Sequence, residues 1–222
     1  MSQTQLIFDF LATPTANNKF CADNFLLAEE NKAARTFLEK FFQQTSPLPS
    51  AILKGERASG KSHLLHIFAK KFSATFLQQE NFDNANFFHE KEFYILENIN
   101  EITNEETLLH IINSAAEAKA FLILSATDIT CFSLKDLVSR LKNIFTVEIK
   151  KPSTEFIKLL LAQGLAQRQL KISDEVIEFL SIRLRPSYST LQDSLKMIEF
   201  SCHENKKSFT LTEARKLIAA TL

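Results

Sequence analysis

Residues 55–62 read GERASGKS, the sequence pattern with the greatest chemical content in the chain. The spacing G-x-x-x-x-G-K-[ST] is that of a phosphate-binding loop, in which two glycines let successive backbone N–H groups face an anion. Lys61 can reach the outer phosphates of a nucleotide, and the Ser62 hydroxyl can ligate Mg²⁺. The candidate nucleotide-binding residues are therefore Gly55, Glu56, Arg57, Ala58, Ser59, Gly60, Lys61, Ser62 and His63.

The elements around the loop are those that a phosphate site requires. A short apolar run, Ala51–Leu53, precedes the loop and predicts a buried parallel strand, and a helix is predicted over 60–72. The helix dipole beginning at Gly60 adds a favourable potential for phosphate. The alternative is a chance match in an ordinary strand–turn–helix, which the scarcity of glycine disfavours: the chain has three, Gly55, Gly60 and Gly164.

Candidate partners of the loop follow the third predicted strand, Phe93–Leu96. Glu97 is the candidate second acid that holds Mg²⁺ or its water, with a strand-end carboxylate facing solvent as the alternative. The next residue, Asn98, stands where many ATPases of this layout have the acid that polarises the attacking water. An amide can orient a water but cannot take its proton, so we expect slow intrinsic hydrolysis.

The alternation of predicted elements indicates an α/β domain with a parallel sheet, followed by helices alone. Strands are predicted at 51–53, 74–78, 93–96, 120–124 and 145–149, and helices at 25–42, 60–72, 105–119 and 134–143. Asp23-Asn24 is the predicted cap of the first helix. After Lys151-Pro152 only helical stretches follow, near 153–170, 173–184, 187–203 and 210–220. We expect a tail over 1–19, a nucleotide-binding domain over 20–151 and a helical domain over 152–222.

Composition limits the function classes. The chain has 222 residues, 45% of them hydrophobic, and a formal net charge of zero, so it has no overall positive field to hold nucleic acid. The three cysteines, Cys21, Cys131 and Cys202, have no CxxC spacing and are read as reduced thiols of a cytoplasmic protein. No run of 18 apolar residues predicts a membrane span, and the N-terminus lacks the features of a secretory signal.

These motifs resemble the DnaA-type AAA+ family. The segments GERASGKSHLL, ILENI, LILSA and LKDLVSRL, followed by a helical C-terminal lid, carry the resemblance over about residues 20–220. It implies an AAA+ P-loop module with a five-stranded parallel sheet and a small all-α lid domain. The chain looks more like the short Hda-like regulators of the DnaA initiator than like the initiators. We expect it to lack the C-terminal helix-turn-helix domain, the helical insertion between the second and third strands and the N-terminal oligomerisation domain of the initiators.

The resemblance also assigns roles to residues outside the loop. Gln5-Leu6-Ile7-Phe8-Asp9-Phe10 is similar to the peptide by which Hda-like proteins dock on the DNA polymerase III sliding clamp, with Gln5 at the pocket rim and Leu6, Phe8 and Phe10 filling the pocket. The alternative for this hexapeptide is an edge strand on the domain's own core. Arg140 matches the arginine finger that the family projects into a neighbouring ATP site. Its alternative is a surface arginine paired with Asp136.

Three departures from the family pattern point to a weak or absent ATPase. Glu97 replaces the usual Asp, Asn98 replaces an acid, and Ser189 stands where the lid's sensor arginine is expected. The first sensor, a polar residue after the fourth strand, is assigned to Ser125 or Thr127. The resemblance implies bound ADP or ATP with Mg²⁺.

The sequence thus predicts a regulator that binds the sliding clamp and stimulates ATP hydrolysis by DnaA, without direct sequence-specific DNA binding and without membrane attachment. A homodimer is left open. The alternatives are an autonomous P-loop ATPase or kinase, a helicase loader or other DNA-remodelling AAA+ protein, and an adaptor that binds the clamp and a partner but no nucleotide.

Overall fold

The structure, a computed structural model, describes residues 20–45, 48–78, 82, 87–205 and 209–221. This part of the chain divides into two compact units. The first is an α/β unit over Phe20–Lys150, and the second is a helical unit that begins at Lys151.

A five-stranded parallel sheet forms the centre of the α/β unit. The strands are Ser50–Lys54 (β1), Thr75–Phe76 (β2), Phe93–Leu96 (β3), Phe121–Ala126 (β4) and Phe145–Glu148 (β5). Their order in the sheet is β2-β3-β4-β1-β5, so that the strand leading into the phosphate loop lies between two neighbours. The middle residues of β1, Ala51, Ile52 and Leu53, are buried, which explains why this strand reads as an apolar run.

Helices alternate with these strands, and this confirms the predicted fold class, an AAA+ P-loop α/β unit with C-terminal helices. The α-helices of the unit are Glu29–Phe42 (α1), Lys61–Phe72 (α2), Glu105–Glu117 (α3) and Lys135–Asn143 (α4). Strand β4 runs two residues beyond the prediction, so Ser125 lies inside it.

The start of α1 differs from the prediction. Residues Ala22–Asn24 form a separate 3₁₀ helix, and α1 begins only at Glu29, so Asp23-Asn24 does not cap it. The cap comes instead from inside the helix. The Asn31 side chain accepts the N–H of Ala28 at 3.0 Å and donates to the carbonyl of Leu26 at 2.8 Å. Asn31, a buried polar residue at the third helical position, thus holds the chain that leads into α1. This arrangement is harder to recognise in a sequence than a Ser or Asp directly before the helix.

Phenylalanines cluster where strands β3, β4 and β5 begin. Phe93 and Phe121 are paired in register on neighbouring strands and stack with ring centroids 5.0 Å apart. Five phenylalanines of α1 and α2, together with Phe145 of β5, complete one ring-contact network, in which Phe41, Phe42 and Phe68 are buried. Its members are Phe37, Phe41, Phe42, Phe68, Phe72, Phe93, Phe121 and Phe145.

The helical unit has a core of its own. The helices are Thr154–Gln167 (α5), Asp174–Arg183 (α6), Tyr188–Asn205 (α7) and Leu211–Thr221 (α8). Gly164 lets α5 and α7 approach closely, because a Cβ added there would lie 2.5 Å from the Leu195 Cδ1 atom. Buried aliphatic residues from all four helices fill the centre.

Candidate functional site

The phosphate loop joins β1 to α2 in an anion-binding backbone conformation. The N–H of Gly55 donates to the carbonyl of Ala126 at 3.1 Å, which ties the start of the loop to the end of β4. Ala58 (φ 64°) and Gly60 (φ 92°) are left-handed, and α2 begins directly after Gly60. Alternation of left-handed and right-handed residues before a helix N-terminus turns N–H groups toward one point.

Gly55 is required by close packing. A Cβ at this position would lie 2.7 Å from the Ser59 hydroxyl and 3.3 Å from the Ile149 Cβ atom. Both loop glycines thus have a structural reason, one for space and the other for backbone conformation. Ser59 is buried, and its Oγ atom has no hydrogen-bond partner among the described residues.

Lys61 is buried at the head of α2 and curls back over the loop. Its Nζ atom donates to the carbonyls of Gly55 at 2.8 Å and Glu56 at 2.9 Å, and its side chain is only 6% exposed. Burial lowers the pKa of Lys61, and the nearby charges of Glu97 and Glu56 partly offset this. The ammonium group is therefore held inside the loop, where phosphate oxygens can replace the two carbonyls.

Glu97, the candidate second acid, lies near enough to the phosphate loop for its charge to raise the pKa of Lys61. Glu97 follows β3 directly and is half-buried, and its Oε1 atom is buried without a hydrogen-bond partner among the described residues. This does not fit a carboxylate turned freely to solvent. A buried carboxylate oxygen without a protein partner can bind a cation or accept a hydrogen bond from an ordered water.

Asn98 is left-handed (φ 52°) and exposed, and its N–H donates to the Ser125 hydroxyl at 2.9 Å. This bond uses the buried Ser125 side chain to fix the end of β3 against β4. Of the two candidate sensors, Thr127 is the exposed one. Its N–H (2.7 Å) and its hydroxyl (3.0 Å) both donate to the Asn100 side-chain carbonyl.

The remaining loop residues differ in exposure. Arg57 and Ala58 are exposed, whereas Glu56, Ser62 and His63 are half-buried. Ser62 stands in the first turn of α2 beside Lys61. Its role as a ligand of a phosphate-bound cation stays a prediction.

Sequence reasoning missed a segment, Phe20–Phe25, that packs on the first turns of α2. The His63 ring contacts the rings of Phe20 and Phe25 edge-on, at 5.7 and 5.3 Å, and its Nε2 atom is 2.8 Å from the carbonyl of Cys21. Phe20 also stacks on His66 at 4.2 Å. Burial lowers the pKa of His63, and the hydrogen bond to the Cys21 carbonyl opposes this. No motif signals this contact, because it depends on ring packing and one backbone hydrogen bond between segments about 40 residues apart in sequence.

Arg140 lies on the exposed side of α4. Its helix is anchored by Leu137 and Leu141, which are buried, while Lys135, Asp136 and Arg140 face solvent. Among the residues that the structure describes, Arg140 has no ion pair, with Asp136 or with any other carboxylate. The alternative of an Asp136–Arg140 pair is not what the structure shows.

The two remaining sets of predicted residues are Ser189 and the N-terminal peptide. Ser189 is in the first turn of α7, where its hydroxyl bonds that of Ser187 at 2.8 Å. Gln5, Leu6, Phe8 and Phe10 lie outside the described residues.

In the described part of the chain, no group of three or more His, Cys, Asp or Glu side chains is arranged to hold a metal ion. A cation at Glu97 would therefore take its other ligands from phosphate oxygens, hydroxyls and water, as Mg²⁺ commonly does. None of the described helices has the length and hydrophobicity to cross a membrane.

Comparison with solved structures identifies the fold. The AAA+ domain (domain III) of the replication initiation protein DnaA from Thermotoga maritima superposes with a TM-score of 0.72 at 16% identity, covering 94% of this chain and 99% of that one. The chain has the DnaA-like AAA+ fold. DnaA from Aquifex aeolicus bound to AMPPCP (TM-score 0.63, 19% identity) covers 87% of this chain and 71% of that one. The RuvB branch migration motor from Thermotoga maritima (0.63, 18%) covers 87% and 70%.

The sequence is also similar to full-length DnaA. The chromosomal replication initiator protein DnaA of Buchnera aphidicola is 23% identical over 235 aligned positions, which cover 91% of this chain. The chain spans 53% of the length of that relative. No protein-family model matches the sequence. The DnaA-like part of the predictions is thus supported at the level of fold, and the finer assignment to Hda-like regulators stays a prediction.

Proposed function

We propose that this protein is a nucleotide-binding regulator of chromosomal replication initiation that stimulates ATP hydrolysis by DnaA. The observation that carries the proposal is Arg140, exposed on α4 and without an ion pair in the described part of the chain. An unpaired guanidinium on a short anchored helix can reach the phosphates in a partner's site. There it would stabilise charge on the transferring phosphoryl group, which is worth 10³–10⁵ in rate where arginine fingers are documented.

The protein's own loop would bind ADP or ATP. Gly55, Gly60 and the N-terminus of α2 direct N–H groups at the phosphates, and Lys61 exchanges two carbonyl bonds for phosphate bonds. Ser62 and Glu97 would hold Mg²⁺, which offers the unpaired Oε1 atom of Glu97 a partner. Bound AMPPCP in DnaA structures of the same fold supports this assignment.

Turnover of that nucleotide should be slow. The residue that follows the second acid is Asn98, whose amide cannot act as a general base. The nucleotide would then serve the structure of this protein, and the chemistry would take place in the partner's site. In this scheme the helical unit acts as the AAA+ lid domain, and residues 1–19 act as the tail that carries the docking peptide.

Docking on the sliding clamp would bring the protein to replicated DNA. Gln5 would bond the rim of the clamp's hydrophobic pocket, while Leu6, Phe8 and Phe10 fill it. Such a tether raises the local concentration of the AAA+ unit near its partner. The residues that follow, LATPTANNK, are polar and contain one proline, which is typical of a linker.

Surface plasmon resonance on immobilised clamp tests the tether. The full chain is compared with a triple variant, Gln5→Ala, Leu6→Ala and Phe8→Ala. Thr4→Ala serves as the matched control next to the peptide. We expect micromolar or tighter binding that the triple variant loses and the control keeps. Absence of binding by the intact chain would remove the clamp-dependent part of the proposal.

A DNA-remodelling AAA+ protein is the second candidate, because RuvB motors share the fold with TM-scores of 0.63–0.66. It requires substantial ATP turnover by the pure protein and salt-sensitive binding to DNA. The zero net charge and Asn98 disfavour both. Measuring ATP turnover of the pure protein with and without single-stranded DNA separates the two functions.

A further inference from the structure

The helix that carries Arg140 has no cap of its own. Helix α4 begins at Lys135 after Leu134, whose side chain offers no oxygen to the first N–H groups. Such groups have no partner inside the helix, and a nine-residue helix is short enough for its first turn to fray. The N–H of Leu134, the residue directly before the helix, is one of these groups, and it is bonded from another part of the fold.

Glu105, the first residue of α3, supplies the missing cap across the fold. Its carboxylate accepts the N–H of Leu134 at 2.6 Å and that of Ser133 at 3.0 Å, and it also accepts the Ser133 hydroxyl at 3.1 Å. One side chain thus ties the N-termini of α3 and α4 together. The negative charge lies at the positive ends of both helix dipoles, where it is favourable. These bonds lower the pKa of Glu105, that from Leu134 most.

Asn100, in the connection between β3 and α3, holds the other end of the loop that leads into α4. It accepts the N–H and hydroxyl of Thr127 and donates to the carbonyl of Asp128. Asn100 and Glu105 therefore bond the two ends of the β4–α4 connection. The position of α4 is set by residues that follow the candidate nucleotide acid in sequence.

We infer that Glu105 is a positioning residue for Arg140. Leu137 and Leu141 anchor the buried side of α4, and the Glu105 carboxylate holds Ser133 and Leu134, the two residues that lead into it, so the exposed side that carries Arg140 is presented in one orientation. The inference rests on the proposed function, because it concerns how Arg140 would reach a partner's phosphates. It assigns Glu105 no contact with the nucleotide or the reacting atoms.

Hydrogen exchange on the free, full-length chain tests the contact itself. Glu105→Gln keeps the size of the side chain and removes its charge. Glu106→Gln, one residue further on and exposed, makes the same charge change without the contacts. We expect the amides of Ser133 and Leu134 to exchange roughly 2- to 30-fold faster in Glu105→Gln, the range of a lost cap. Unchanged exchange there would overturn the inference, whatever the partner assay shows.

The partner assay tests the role. ATP-loaded DnaA is titrated with each variant, and the maximal stimulated rate is separated from the concentration that gives half of it. Glu105→Gln should lower the maximal rate several-fold with an unchanged half-saturating concentration, and it should add nothing to Arg140→Ala. If Glu105 served only the stability of the fold, Glu105→Gln would have a lower melting temperature but the same maximal rate per folded molecule as Glu106→Gln. That result would overturn the inference. If Arg140→Ala stimulates normally, the proposed function fails first and the inference falls with it.

Discussion

Adding one methyl group to Gly60 should weaken nucleotide binding through the backbone alone. Gly60 has a φ of +92°, a region that costs an L-residue about 1–2 kcal/mol. The space for the methyl group exists, since the nearest atom to an added Cβ is Phe25 Cε2 at 3.5 Å, an ordinary contact. The substitution therefore adds backbone strain without a steric clash.

That strain converts into a defined loss of affinity. The free loop of Gly60→Ala can relax away from the left-handed conformation, and the nucleotide must restore it so that the N–H groups face the phosphates. A penalty of about 1–2 kcal/mol then appears in binding, which is about 5- to 30-fold in the dissociation constant for ADP. Isothermal titration calorimetry with ADP and Mg²⁺ measures it directly.

Ala58→Gly is the matched control, because it removes a Cβ from a left-handed residue of the same loop (φ 64°). In Ala58→Gly, relief of backbone strain stabilises the folded chain, while the greater freedom of glycine stabilises the unfolded chain. Because the two effects oppose each other, the melting temperature should change little. Its ADP affinity should stay within about threefold of the wild-type value. Wild-type affinity in Gly60→Ala would refute the reasoning, because the loop conformation would then not matter for binding.

Three further predictions follow from single residues. Asn98→Asp introduces a carboxylate, and Asp can adopt the left-handed backbone conformation of this residue. The substitution should raise ATP turnover about 10²-fold or more. Unchanged turnover at saturating ATP would show that residue 98 does not contact the attacking water. The pKa of His63 is below its usual 6.5, so the unfolded chain binds more protons than the folded chain as the pH falls through that value. The melting temperature should therefore drop between about pH 8 and about pH 5, and this drop should be larger in the wild-type chain than in His63→Gln. An equal fall in both would contradict it. Gly164→Ala forces Leu195 aside and should lower the free energy of unfolding by about 1–3 kcal/mol in urea titrations, whereas an unchanged midpoint would show that the helices separate freely.

The sequence predicted the fold well where one residue pattern has one structural consequence. GERASGKS after a buried apolar run defines strand, loop and helix together, and the structure has β1, the left-handed loop and α2 in those places. The place of Glu97 directly after a strand was also predictable, because Phe93–Leu96 is a short apolar run and forms β3.

Contacts between distant segments could not be predicted in the same way. Glu105 reads as an ordinary acid in the first turn of α3, and nothing in its neighbours signals the three bonds to Ser133 and Leu134, 28 and 29 residues later. The late start of α1 has the same origin, since the Asn31 cap depends on the path of the preceding chain. Periodicity reports which side of a helix is buried, and it does not report which polar group satisfies a helix end.

The most direct test of the proposed function is the hydrolysis of ATP bound to DnaA, measured in the presence of the clamp on DNA. The wild-type chain, Arg140→Ala and the neighbouring exposed control Lys142→Ala are compared at equal concentrations. We predict that the wild-type chain and the control accelerate hydrolysis while Arg140→Ala loses about 10³-fold of the effect or more. Equal stimulation by Arg140→Ala, or no stimulation by the wild-type chain, would contradict the claim that this protein completes the catalytic site of DnaA.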